Sequence, residues 1–228
     1  MKIVVLGYGL LGSEIVNQTG WDYLSRKKDE IDVSEFDKWI DKLNDYNVIV
    51  NCIANTDTYS EDKEPHLNIN YHFVKKLVKY CNQTSKKLIQ ISTDYIYANS
   101  ENERRETDVP VHHSSWYGYS KLLGDSYVEF ECDKFLICRL SHKSKPFPYD
   151  KAWNDVMTNA DYTPKIVKLV IELIKHNIEG VYNVGTSKKT IYSLALETKE
   201  VQPISSPEKV PKNVTMNLDK LSNFLLHL

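Results

Sequence analysis

The strongest constraint on this chain lies at its start. Lys2–Leu6, KIVVL, is a short β-branched run that feeds directly into Gly7-Tyr8-Gly9-Leu10-Leu11-Gly12. In a GxGxxG turn between a strand and a helix, each glycine has its own job. Gly7 permits the tight turn, Gly9 lets the backbone approach a pyrophosphate, and Gly12 removes a side chain where helix and strand pack. The free amides at the helix start, around Leu10 and Leu11, then favour an anion. The pattern alone says little, but at the head of a βαβ sequence it predicts a dinucleotide site.

The rest of the first half continues that alternation. Strands are expected at Trp21–Ser25, Val48–Ile53, Leu88–Ser92 and Phe135–Leu140, with helices over Asp37–Leu43, Pro65–Tyr80, 114–131 and Thr163–Lys175. Pro164 suits the first turn of the last of these, where its missing donor is harmless. A further strand is expected at Val181–Val184, and a final helix capped by Asn217 that buries Leu218, Leu221, Phe224 and Leu225. Apolar strands separated by helices predict an α/β fold, a Rossmann-like doubly wound parallel sheet. A small, reduced C-terminal substrate lobe completes it, with residues 1–141 and 162–184 in the nucleotide-binding part and 142–161 with 185–228 in the lobe.

With 29 Lys+Arg against 31 Asp+Glu, the chain has a net charge of −2 and no broad basic face for duplex nucleic acid. No run approaches the length of a membrane span, and the start lacks the apolar stretch of a signal peptide. The four cysteines, at 52, 81, 132 and 138, form no CxxC pair, so reduced thiols and a cytoplasmic location are expected.

Cofactor discrimination belongs after the second strand. Ser25, Arg26 and Lys27 stand where an acidic residue would hold the ribose hydroxyls of NAD, and Arg26 can instead fork onto a 2′-phosphate. NADP(H) is therefore preferred, with NAD(H) the alternative; Asp22 is the residue that would favour NAD if the strand ended earlier. Asp32 and Val33 are placed beside adenine. Cys52, Ile53 and Ala54, with Thr56 just beyond, are placed along the cofactor, Cys52 as a packed thiol.

The catalytic candidates are Thr93, Tyr117 and Lys121. Tyr117-Gly118-Tyr119-Ser120-Lys121 is YxxxK, which puts phenol and ammonium on one helix face. Lys121 can hold the nicotinamide ribose, Tyr117 can protonate a carbonyl oxygen as hydride reaches its carbon, and Thr93 can hydrogen-bond the developing alkoxide. Ile91 and Ser92, on the same strand, are placed against the cofactor.

These motifs, with VNCIANTDT at 50–58, LNIN at 67–70, ISTDYIY at 91–97, ENERRETDVP at 101–110 and WYGYSKLLGD at 116–125, resemble the extended short-chain dehydrogenase/reductase family, in the branch that contains dTDP-4-dehydrorhamnose reductase. The resemblance implies a nucleotide-diphosphate sugar with a 4-keto-6-deoxy ring as substrate, a nicotinamide cofactor as hydride donor and no metal, and it permits a homodimer. It places catalysis on Thr93, Tyr117 and Lys121, and makes Asn70 an organiser of the site beside the cofactor. Asp94 and Tyr95 are expected at the sugar, where Tyr95 replaces the acidic residue of a sugar dehydratase. Trp116, His142 and Trp153 are further sugar contacts. Ser141-His142 departs from the usual Ser-Trp, and His112-His113 are candidates for the entrance. Two alternatives stay open: an epimerase, including a bifunctional 3,5-epimerase/4-reductase, and a non-catalytic cofactor-binding regulatory subunit.

Overall fold

The computed structural model describes residues 1–98, 103–108 and 115–228. His112 and His113, and much of the 101–110 motif, lie outside the described residues. Six strands form one sheet: β1 (Ile3–Leu6), β2 (Asp22–Leu24), β3 (Val48–Asn51), β4 (Lys87–Thr93), β5 (Phe135–Leu140) and β6 (Gly180–Val184). Their order is β6-β5-β4-β3-β1-β2, and every pairing is parallel. Such strands are covered on both faces, which is why β1, β3 and most of β5 are buried along their length.

Helices α1 (Leu10–Thr19) and α2 (Thr163–Lys175) pack together on one face, where Ile15, Val167, Val170 and Ile171 join the strand residues Val5, Val50 and Leu140. The other face is covered by Lys63–Gln83, interrupted by a π-helical turn at Asn68–His72, and by α3 (Trp116–Glu131). There Phe73, Leu77 and Val128 meet Leu6, Ile49 and Ile137.

The sheet is narrower than a full dinucleotide-binding sheet at its β2 edge. After Leu24 the chain makes a short helix at Arg26–Asp29, with Glu30 in the left-handed region, and then short helical turns over Val33–Leu43. The helix expected over Asp37–Leu43 is an α-turn followed by a 3₁₀ turn. Phe36, Trp39 and Leu43 bury on the sheet, so this segment caps the edge instead of extending it.

The smaller lobe has its own apolar cluster of Phe147, Ala152, Val156, Tyr162, Ile191 and Leu194. Short two-strand pairings tie it together: His142–Lys143 with Asp161–Tyr162, Lys151–Trp153 with Gln202–Ile204, and Met157–Thr158 with Lys189–Thr190. The final helix, Asp219–Leu226, corrects the sequence assignment of 185–228 to the lobe. It buries Leu221 against the large sheet's core, with Phe224 and Leu225 only half covered. Asn217 Oδ1 accepts the Asp219 N–H at 2.9 Å and satisfies an orphan amide at its start. Among the described residues no helix is long and apolar enough to cross a membrane.

Candidate active site

The strand register brings Leu6, Asn51, Thr93 and Leu140 to one edge of the sheet, since Leu6 pairs with Asn51 and Thr93 with Leu140. A cleft of about 860 Å³ opens at this carboxyl edge, between the sheet and the smaller lobe. Its position agrees with the rule that ligands bind open α/β sheets at the strands' carboxyl ends.

At one end lies the glycine loop. Gly7 has φ 92°, a conformation that side chains resist, and a Cβ on Gly12 would sit 2.0 Å from the Gly7 carbonyl oxygen. Both are required by the protein's own backbone. Gly9 is different: a Cβ there would meet nothing within 4 Å, and the space opens into the cleft. Gly9 caps α1 without a side-chain bond, so the first amides of the helix have no intrahelical partner. Open space beside free amides fits the phosphates of a dinucleotide.

The middle of the wall holds Thr93, Tyr117 and Lys121. Thr93 ends β4 and caps the turn Asp94–Tyr97 by accepting the Tyr95 N–H at 3.2 Å. Ser115 caps α3 through the Gly118 N–H, which sets Tyr117 in the first turn and Lys121 one turn on. Burial pushes the Tyr117 phenol up to about 12, with the neighbouring Thr93 hydroxyl pulling the other way. Tyr117 is therefore protonated at neutral pH and available as an acid. Lys121 Nζ donates to the Ile91 carbonyl at 2.6 Å; burial lowers its pKa, and the Asp125 carboxylate opposes that. Burial pushes Asp94 up to about 7, against the pull of Lys143. Cys52 lines the cleft as a thiol, with burial pushing it up to about 12, in keeping with a packing role.

Behind this wall lies a second polar cluster. Ser92 Oγ donates to Asp125 Oδ2 at 2.7 Å, Arg139 Nε donates to the same oxygen at 3.3 Å, and Arg139 Nη1 reaches the Tyr97 hydroxyl at 2.7 Å. Ser92 borders the cleft, but its hydroxyl is committed to this cluster. Asn70 is a brace: its amide donates to the Asn55 carbonyl and Ser120 Oγ, and its oxygen accepts the Asn55 N–H. The Asn70 carbonyl lies so close to α3 that a Cβ on Gly124 would come within 2.3 Å of it. Asn70 thus fastens the strand-end loop to α3 without lining the cleft.

From the lobe side come His142, Lys143 and Trp153. Thr163 Oγ1 gives its hydrogen to the Lys143 carbonyl at 2.9 Å, so His142 Nδ1, 3.0 Å away, donates to Thr163 and leaves Nε2 as an acceptor. Burial lowers the His142 pKa to about 4, with Lys143 adding to the effect, so the ring is neutral.

Of the sequence candidates, the cleft gathers Gly9, Leu10, Leu11, Gly12, Cys52, Ala54, Thr56, Ile91, Ser92, Thr93, Asp94, Tyr95, Tyr117, Lys121, His142 and Trp153. It does not gather Gly7, Ser25, Arg26, Lys27, Asp32, Val33, Ile53, Asn70 or Trp116. Ser25 Oγ caps the helix at Arg26–Asp29, Asp32 Oδ1 caps the next turn, and Trp116 packs edge-on against Tyr119 at 5.8 Å. Arg26 and Lys27 are exposed beyond β2, while Asp22 stands at the opposite, amino end of that strand. Tyr59, Tyr149 and Lys151 line the cleft without having been singled out. Their loops meet only in three dimensions; the aromatic spacing around Tyr149 was the available signal.

The family profile of the RmlD substrate binding domain matches residues 1–170. A dTDP-4-dehydrorhamnose reductase of Salmonella typhimurium is 33% identical over 100 residues, 42% of this chain and 32% of that protein, so the match spans about a third of the relative's length. Among solved structures, a dTDP-4-dehydrorhamnose reductase ortholog from Clostridium acetobutylicum superposes with a TM-score of 0.83 at 22% identity, covering 99% of this chain and 93% of that one. The dTDP-4-dehydrorhamnose reductase of Bacillus anthracis, solved with NADP, gives 0.81 at 20% identity, covering 98% and 93%. With the parallel sheet, the glycine loop and the Thr-Tyr-Lys wall in place, the profile match over three quarters of its length makes this chain a member of the RmlD substrate binding domain family, within the extended short-chain dehydrogenases/reductases.

Proposed function

We propose that this chain uses NADPH to reduce the keto group of a nucleotide-linked 4-keto-6-deoxy sugar, as a dTDP-4-dehydrorhamnose reductase does. The observation that carries the reading is the gathering of Thr93, Tyr117 and Lys121 on one cleft whose far end is the free amide end of α1. The nicotinamide cofactor, when bound, supplies the hydride. Lys121 holds its ribose and keeps a positive charge beside the phenol. Tyr117 passes its proton to the carbonyl oxygen, and Thr93 donates to that oxygen as negative charge grows on it. The tyrosinate then regains a proton from solvent. Arg26 is the residue assigned to the 2′-phosphate, with Ser25 and Lys27 beside it, and Asp94, Tyr95, His142 and Trp153 face the sugar. A homodimer and a cytoplasmic setting belong to the same reading.

The test is incubation with NADPH and a panel of dTDP-, UDP- and GDP-linked 4-keto-6-deoxy sugars. One of them should be converted to its hydroxysugar with loss of NADPH. A folded protein that binds the cofactor and leaves every ketosugar unchanged would overturn the proposal.

A further inference from the structure

Lys143 is a cation on the cleft wall that has no hydrogen bond from its ammonium and no direct ion pair among the described residues. Its backbone is fixed: His142–Lys143 pairs with Asp161–Tyr162, and Thr163 Oγ1 donates to its carbonyl at 2.9 Å. Burial lowers the pKa of the amine, and the carboxylate that opposes this is Asp94. Asp94 opens the turn after β4, next to Thr93, and lines the same cleft. Its Oδ1 accepts from Thr93 and its Oδ2 from Thr158, both at 3.4 Å, long contacts that leave lone pairs free. Tyr95 and Tyr117 also feel the Asp94 charge.

Lys143 and Asp94 line one cleft and form no direct ion pair with each other, so they present a donor and an acceptor to what occupies it. An anion there would meet Asp94, and a second cation would meet Lys143. An apolar group would leave both without partners, at a cost. A hydroxyl accepts and donates at once. We infer that Lys143 and Asp94 together read a free hydroxyl on the sugar ring next to the carbon that is reduced, with Lys143 donating to its oxygen and Asp94 accepting its hydrogen. The inference rests on the proposed function and deepens it. In a 4-keto-6-deoxy sugar C5 carries the methyl group, so the flanking hydroxyl is the one on C3. Lys143 is then a specificity residue for 3-hydroxy over 3-deoxy sugars.

The experiment is calorimetric titration of the full chain, saturated with NADP⁺, using dTDP-6-deoxyglucose and its 3-deoxy analogue as probes. It reads binding alone, so it stands apart from whether a ketosugar turns over. The wild type should bind the 3-hydroxy sugar roughly tenfold tighter or better, as a hydrogen bond to a charged group allows. Lys143→Met should weaken the 3-hydroxy sugar about as much while shifting the 3-deoxy sugar by less than about threefold, and Lys143→Arg should keep most of the preference. Unchanged affinity of Lys143→Met for NADP⁺ serves as the check that it folds. Equal weakening of both sugars in Lys143→Met would assign Lys143 to a group they share, such as the diphosphate, and overturn the inference. A wild type that does not distinguish the two sugars would do the same. If neither sugar bound, the nucleotide-sugar reading would fall and the inference with it.

Discussion

Ser92 and Thr93 occupy consecutive positions on β4, and both are buried. The Ser92 hydroxyl points back, donating to Asp125, whose Oδ2 also takes Arg139, while Arg139 continues to Tyr97. The Thr93 hydroxyl bonds instead to Asp94 and the Tyr95 N–H, at the wall of the cleft that Tyr117 and Lys121 also line. One residue step along a strand reverses the side chain, so β4 carries a structural cluster on one side and a chemical wall on the other. The two are coupled electrostatically. Asp125 Oδ1 has no hydrogen-bond partner among the described residues, and the Asp125 charge acts on Lys121, opposing the lowering of its pKa by burial. The rear cluster is a buried polar brace that supplies a field; the front wall holds the groups to which the proposed reduction assigns the proton.

The sharpest way to separate these roles is Tyr117→Phe. It keeps the aromatic volume and removes the acid, so hydride transfer in a single turnover should fall roughly 10²- to 10⁴-fold. The unfolding midpoint and cofactor affinity should change little; a comparable loss of stability would put Tyr117 with the rear cluster. Arg139→Met should do the reverse. It strands the buried Asp125 carboxylate, and denaturant unfolding should register a loss of about 3–5 kcal/mol. A change below about 1 kcal/mol would mean that Asp125 needs no counter-charge.

Much of this arrangement was legible in the sequence because it rests on local patterns. Phe135–Leu140 and Thr163–Lys175 form over the expected residues, and YxxxK needs only a helix to bring Tyr117 and Lys121 together. What was not legible depends on contacts distant in the chain. Ser92 was read as a cofactor contact because nothing nearby announces Asp125, 33 residues on. Asn70, expected to organise the site beside the cofactor, does so through Asn55 and Ser120, which no local pattern names, and Trp116, expected at the sugar, packs on Tyr119. The second strand was expected to run on through Ser25. Ser25 and Asp29 instead bond reciprocally around a short helix, with Ser25 N–H donating to the Asp29 carboxylate at 2.8 Å.

The β2 edge sets up a smaller effect. Arg26 is exposed there, outside the cleft lining. Arg26→Ala should lower kcat/KM for NADPH roughly tenfold, the loss of a charge-assisted hydrogen bond, while NADH changes by less than about threefold. Equal losses with both cofactors would move Arg26 away from the 2′-phosphate.

The smallest effect is a slope. Burial holds the Asp94 pKa at about 7 in the folded chain, above its ordinary value of 3.8. A raised carboxyl contributes stability that is present below its unfolded pKa and is lost as pH rises through the folded value. Between about pH 4 and 7 it should therefore subtract up to about 1.4 kcal/mol per pH unit. His142, lowered to about 4 from 6.5, acts in the opposite direction over much of that range. The contribution of Asp94 is thus read as the difference between wild type and Asp94→Asn in urea unfolding at several pH values. The difference should grow as pH rises; parallel curves would remove the buried-carboxyl account.

The central claim is that the front wall supports net transfer of hydride to the sugar. Its most direct test is deuterium tracing with NADPH carrying deuterium at the transferred position of its nicotinamide C4 and the ketosugar that turns over. The account predicts one deuterium on the former carbonyl carbon of the sugar, with one NADP⁺ formed for each hydroxysugar, and almost none of that label transfer in Tyr117→Phe. A sugar recovered epimerised and unlabelled, with the cofactor not consumed, would contradict it.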